Sequence, residues 1–242
     1  STENLSALDT TQMSAFSASQ IASLTTTQIS GLVSGDIEEL TTTQVQGLTT
    51  SQVGSLATEA VAALSATQVA AMRTSQIIGL TTTQLNALDA ADFAEFTTTQ
   101  VVALNSTQVA GLSTTNITSF TSTQAAALSS TQLRSLSAEN VAAFEATQIE
   151  ALTTTQIKGL TTTQLSQLEA ADLGEFTTTQ IGALQNTQLV SLTSTALSGL
   201  AETQIAAISS IGVKVLSATN FASLAESQLA ALTTTHIASL TT

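Results

Sequence analysis

Residues 152–168 read Leu-Thr-Thr-Thr-Gln-Ile-Lys-Gly-Leu-Thr-Thr-Thr-Gln-Leu-Ser-Gln-Leu. One eight-residue phrase occurs there twice, and the rest of the chain restates it. Let each octad end on a multiple of eight. Leu8, Phe16, Leu24 and so on to Leu240 are then position eight, and all thirty are apolar. Position five is Ile, Val, Leu, Met or Phe in every octad but one, where Ala125 stands. Position four is Gln in nineteen octads and usually Asn or Asp otherwise. Positions one to three are mostly Thr, Ser and Ala, and position seven is mostly Ala, Gly or Ser. No residue is inserted or deleted across 240 positions. A fixed short period marks a repeat architecture, in which each unit buries its apolar face only against neighbouring units.

The period excludes one continuous helix. Eight residues turn an α-helix by roughly 800°, so successive octads would be rotated by about 80°. Their apolar positions would then circle the helix and form no stripe. The chain must therefore change direction once per octad. Positions five and eight are three apart, which suits one helical turn and not strand alternation. Position one prefers Thr, Ser, Asp or Asn, the N-cap residues, and Gln follows three places on. That is capping-box spacing. Asp89-Ala90-Ala91-Asp92 and Glu169-Ala170-Ala171-Asp172 keep the grammar and put carboxylates where the helix dipole favours them.

The expected fold is an all-α solenoid of short capped mini-helices, one per octad, with residues 1–242 forming a single solenoid of thirty octads. Each helix is too short to stand alone, so stacking must supply its stability. The alternative is a β-solenoid, since Thr, Val and Ile favour strands and Gln can form stacked ladders. Apolar spacings of three then five argue against it. So do the abundant Ala at position six and the absence of Pro. Phe96, Phe120 and Phe144 recur every three octads, which hints at three octads per coil.

A longer repeat overlies the octad. Residues 80–112 and 160–192 match at 21 of 33 positions, an offset of ten octads. Both carry an acidic octad, Asp89 to Phe96 in one and Glu169 to Phe176 in the other. A third deviant, Val33 to Leu40, holds Asp36, Glu38 and Glu39. Ser209 to Leu216 loses the usual polar start and gains Ile211 and Val215. It reads as a strand, a buried contact, an interface or simply a drifted repeat.

Composition narrows the function. Seventeen carboxylates face four Lys and Arg, for a net charge of −13. That balance repels nucleic acid and anionic membrane surfaces. There is no Trp, Tyr or basic patch on which bases would stack. No apolar run approaches the roughly 20 residues of a membrane span. The absence of Cys excludes disulfides and thiolate metal sites. The first and last octads lack distinct polar caps, so the array is expected to continue beyond them or to be covered by neighbouring subunits.

Catalytic apparatus is not legible. His236 is the only His and stands at the Gln position, with no carboxylate or nucleophile at a definable distance. It reads as a replacement for Gln. The acidic triplets Asp89, Asp92, Glu95 and Glu169, Asp172, Glu175 are the candidate metal site, because clustered hard oxygens suit Ca²⁺. The plainer reading of the same residues is helix-start charge and solubility. Stacked Thr rows would array hydroxyl and methyl groups regularly, a surface suited to ordered water, ice or glycan.

The phrase Leu-Thr-Thr-Thr-Gln-Ile, at residues 24–29 and 152–157 and with Phe176 in place of Leu at 176–181, resembles Thr/Gln-rich octapeptide-repeat arrays of large bacterial secreted and cell-surface proteins, of the adhesin or extracellular-filament kind. The resemblance spans essentially the whole chain. It implies an extracellular or cell-surface location and a role as fibre, spacer or adhesive surface. The expected partners are further copies of the chain, a cell surface or carbohydrate. The resulting expectation is a non-enzymatic protein that self-associates into a filament, sheath or adhesin stalk. The alternative is a monomeric module that binds ice or glycan through its Thr rows.

Overall fold

The computed structural model describes residues 5–240. Among them lie 29 short α-helices and no strand, one helix in each octad from the second to the thirtieth. All but the last are four to six residues long. The octad at residues 209–216 keeps the pattern, with a helix over Ser210–Lys214 whose N-cap Ser209 accepts from the Gly212 N–H.

One octad shows how the sequence makes the shape. Thr81 Oγ1 accepts from the Gln84 N–H at 3.2 Å, and Gln84 Oε1 accepts from the Thr81 N–H at 2.8 Å. Two donors that a helix N-terminus leaves orphaned are thereby paired. Position eight then ends the helix. The Leu48 N–H closes the last turn on the Val45 carbonyl at 3.1 Å. Leu48 itself is extended, at φ −61° and ψ 137°, and Thr49 follows at φ −77° and ψ 162°. Two extended residues thus make each corner. No residue among those described has positive φ, so the corner requires neither Gly nor Pro.

The chain divides into two compact units, residues 1–127 and 128–242. Each is an α-solenoid built by one rule: a helix packs on the third helix along. In the first unit Ala18–Ser23 packs on Thr42–Gly47, and Thr74–Gly79 on Thr98–Ala103. In the second, Ser130–Ser135 packs on Thr154–Gly159, and Ala170–Gly174 on Ser194–Ser198. Three octads therefore complete a coil. Positions five and eight line the interior, and Val45, Ile77, Ile117, Leu133 and Ile157 are wholly buried. Phe93 fills part of the first core, with its ring centroid 5.1 Å from that of Phe96 and 5.7 Å from that of Phe120.

Position seven is mostly small, and where it is Gly the coils meet closely. A Cβ on Gly79 would stand 2.5 Å from the Thr50 carbonyl oxygen, and one on Gly47 would stand 2.7 Å from that of Ala18. Both contacts join position seven of one octad to position two of the octad three before. Hydroxyls stitch the same seam. Thr50 Oγ1 donates to the Ser75 carbonyl at 2.9 Å, and Ser130 Oγ to that of Thr155 at 3.2 Å.

Candidate functional site

The residue type that recurs most constantly is Gln at position four, and it works twice. Its Oε1 completes the capping box of its own octad. Its Nε2 reaches back to the octad four places earlier and donates to two backbone carbonyls. Gln100 Nε2 bonds the Val69 oxygen at 2.9 Å and the Met72 oxygen at 2.8 Å. Gln108 does the same to Ile77 and Leu80, both at 2.8 Å. In the second unit Gln164 holds Leu133 and Leu136, again at 2.8 Å. These amides are almost wholly buried: Gln76 is 0% exposed and Gln100 is 2% exposed. A buried amide is tolerated only when paired, and here Nε2 is directed at backbone carbonyls while Oε1 accepts from the N-cap residue, as from the Thr97 N–H at 2.7 Å and the Thr97 hydroxyl at 3.1 Å.

The column explains its own substitutions. His236 is buried and takes over the Gln role, with one cross-coil bond in place of two. Its Nδ1 accepts from the Thr233 N–H at 3.1 Å, and its Nε2 lies 2.8 Å from the Ile208 carbonyl oxygen, 28 residues back. A carbonyl cannot donate, so the ring's proton sits on Nε2. Asn220 is shorter and keeps one cross-coil bond, from Nδ2 to the Leu192 oxygen at 2.7 Å.

Asp at position four keeps the cap and has no amide for the cross-coil bonds. Asp89 Oδ1 accepts from the Asp92 N–H at 2.9 Å, and Asp92 Oδ2 accepts from the Asp89 N–H at 3.3 Å. Asp92 is buried. Burial pushes its carboxyl above the usual range, the Asp89 N–H bond opposes that, and the Asp89 charge adds to it. In the second acidic octad the Glu169 N–H donates to Asp172 Oδ2 at 2.7 Å.

The two triplets are thus assembled only in part. Asp89 pairs with Asp92, and Glu169 with Asp172, across one helical turn. Glu95 and Glu175 stand at the other end of their helices, in the C-cap position. Among the described residues no group of three or more His, Asp or Glu side chains is placed to hold a metal ion. The Glu175 carboxyl is pushed up by burial first and then by the charges of Asp172, Glu145 and Glu150. On the surface, Glu202 is held below the usual range by its own backbone N–H and by the Ser227 hydroxyl.

The Thr rows are divided by role. Position-one hydroxyls are committed to capping, as at Thr97 and Thr177. Position-three Thr are exposed, and they align along stacked helices, Thr43 with Thr67 and Thr99 with Thr123.

Sequence reasoning found the cap and missed the cross-coil bond. The available signal was the length of the side chain. A cap alone is served by Asp or Asn, whereas nineteen Gln imply that the extra reach is used.

These features define a repeat protein of the α-solenoid class. Within it, residues 29–66 and 85–122 match the ALTTAQ repeat, as tandem repeats of about 38 residues. Both stretches lie in the first unit and contain the Leu-Thr-Thr-Thr-Gln phrase or close variants of it. No curated protein matches the chain. Among the described residues no helix is long and apolar enough to cross a membrane.

Proposed function

We propose that the chain is a non-enzymatic structural element that associates with further copies of itself into an extracellular filament, sheath or adhesin stalk at a bacterial surface. The observation that carries this reading is the commitment of the polar interior to architecture. Gln100, Gln164, Asn220 and even the single His, His236, spend their side chains on caps and cross-coil bonds. The residue types that could do chemistry are the ones that hold the coils together. A repeating interior also favours assembly, because one coil face resembles the next and a head-to-tail contact can recur without closing. The net charge of −13 keeps copies apart until salt or divalent cations screen it.

Electron microscopy of the purified chain tests this, at low salt, at high salt and with millimolar Ca²⁺. Regular filaments that lengthen as screening increases are expected. Discrete particles under every condition contradict the reading. A second reading rests on the exposed Thr rows: a monomeric module that binds ice or glycan. It predicts discrete particles together with thermal hysteresis or glycan-array binding, neither of which a purely structural filament requires.

A further inference from the structure

One interior octad of the first unit, residues 57–64, is held by neither of the devices that hold its neighbours. Its N-cap is Ala57, whose side chain has no oxygen to accept from the helix. Its position four is Ala60, which has no oxygen for the Ala57 N–H and no amide to send across the coil. Thr58–Ala62 is the one helix among those described whose N-terminus has no side-chain partner at either place. The tie that would arrive from the next coil is missing too. Gln100 donates to Val69 and Met72, so the same register gives Val61 and Leu64 to Asp92. An ionised carboxylate has no proton to donate.

The octads around it are tied without it. Before it in the chain, Gln52 donates to the Leu24 carbonyl at 2.7 Å, and after it Gln68 donates to that of Leu40 at 2.7 Å. Thr58–Ala62 packs between Ser34–Glu38 and Thr82–Leu85. The first belongs to the octad that Gln68 holds, and Gln84 of the second holds Val53 and Leu56 at 3.1 and 2.8 Å. Octad 57–64 itself keeps the burial of Val61 and Leu64 and a seam bond from Ser34 Oγ to the Glu59 carbonyl at 3.2 Å. Segments with the fewest such bonds open locally while the rest of a fold stays closed.

We infer that octad 57–64 is an acid-controlled opening in the first unit: it swings out as a body while the octads around it stay tied, and protonated Asp92 shuts it by donating to the Leu64 carbonyl. Asn220 shows that a side chain of this length reaches, since its Nδ2 donates to the Leu192 carbonyl at 2.7 Å, the same 28 residues back. Leu64 takes no side-chain donor among the described residues. Burial and the Asp89 charge favour the protonated form of Asp92, and the Asp89 N–H opposes it. No other charge faces this carboxyl from the packed helices, because Ala66–Ala71 and Thr114–Thr118 carry none. Arg73, at the corner after the first of these, donates to the Gln46 carbonyl, and Glu59 and Glu95 are exposed. The opening belongs to a single chain and goes beyond any association between copies.

Hydrogen exchange on the full chain tests this, with protection factors corrected for intrinsic rates at neutral and acidic pH. The Val53, Val61 and Val69 amides make the same local bond, at 3.0, 3.1 and 2.9 Å, so differences among them report opening. At neutral pH Val61 and Leu64 should be at least tenfold less protected than Val53 and Val69, and the gap should close in acid. Asp92→Asn should close it at neutral pH as well, because the amide donates without a proton being added. Ala57→Ser, which restores the cap alone, should raise Val61 protection at both pH values. Equal protection of Val61, Val53 and Val69 in the wild type at neutral pH overturns the inference. So does a gap that persists both in acid and in Asp92→Asn.

Discussion

The Gln84 amide nitrogen donates to the Leu56 carbonyl oxygen at 2.8 Å, across 28 residues of chain. The same side chain caps its own helix. A single residue type therefore sets where each helix starts and which earlier octad it rests against. Helices of four to six residues have almost no intrinsic stability. Their persistence depends on bonds of this kind together with the buried pair at positions five and eight.

Position seven should tolerate no bulk where the facing coil comes as close as it does at Gly79. Gly79→Val would drive its new atoms into the Thr50 carbonyl and methyl, which lie 2.5 and 2.9 Å from the Cβ position. Overpacking of this kind costs about 1–3 kcal/mol. Gly35 is the internal contrast, since a Cβ there meets nothing within 4 Å. Gly35→Ala, inside the helix Ser34–Glu38, should stabilise by about 0.5–1 kcal/mol. Chemical denaturation of the two variants beside the wild type checks the opposite signs.

The Asp92 carboxyl holds its proton to higher pH in the folded chain than in the unfolded one. Its favourable contribution is therefore fully present below the ordinary carboxylate range and is lost as pH rises through the folded value. Asp92→Asn removes the buried charge and keeps an oxygen for the Asp89 N–H. The variant should melt higher than the wild type at neutral pH, and the gap should close on acidification. Thermal melts across that range measure it. A gap that is constant with pH would mean that Asp92 does not titrate differently in the two states.

His236 should be replaceable by the residue it imitates. His236→Gln keeps a donor to Ile208 and an acceptor for the Thr233 N–H, and should leave local stability unchanged or slightly raised. His236→Ala strips both and should cost about 1–2 kcal/mol at this octad. Hydrogen exchange at the Thr233 and Ile237 amides reports the difference locally. Equal exchange in the two variants would show that the imidazole bonds carry no weight.

Much of this was legible beforehand, and for definite reasons. Thr81 and Gln84 announce a capping box through spacing alone, and Val45 with Leu48 announces one helical turn. The acidic octads kept the cap grammar, so Asp89 with Asp92 fell where the sequence put them. The return path of the chain was not legible. Nothing local in Leu48-Thr49 states that two extended residues aim the next helix, and nothing local in Gln100 names Val69 and Met72 as its partners. Those contacts belong to the coil and not to the octad. The three-octad spacing of Phe96 and Phe120 was the one long-range cue, and it matches the packing of each helix on the third along. The acidic triplets show the converse limit. Three carboxylates in one octad suggest a shared ligand, yet the short helix places Glu95 at its far end from Asp89.

The central claim is that the Gln column ties the coils, and Gln100 tests it most directly. Gln100→Ala removes the acceptor for the Thr97 N–H and both donors to Val69 and Met72. The expected loss is about 2–4 kcal/mol, since the Met72 carbonyl loses its side-chain donor, the Val69 carbonyl keeps only the Met72 N–H, and the Thr97 N–H loses its acceptor. Gln100→Glu keeps the cap and turns a buried carboxylate toward those carbonyls. It should be at least as damaging as Ala at neutral pH and should recover in acid, where the protonated carboxyl donates again. Denaturant titration of both variants at neutral and acidic pH decides the matter. A Glu variant as stable as the wild type at neutral pH, or an Ala variant within about 0.5 kcal/mol of it, would contradict the account.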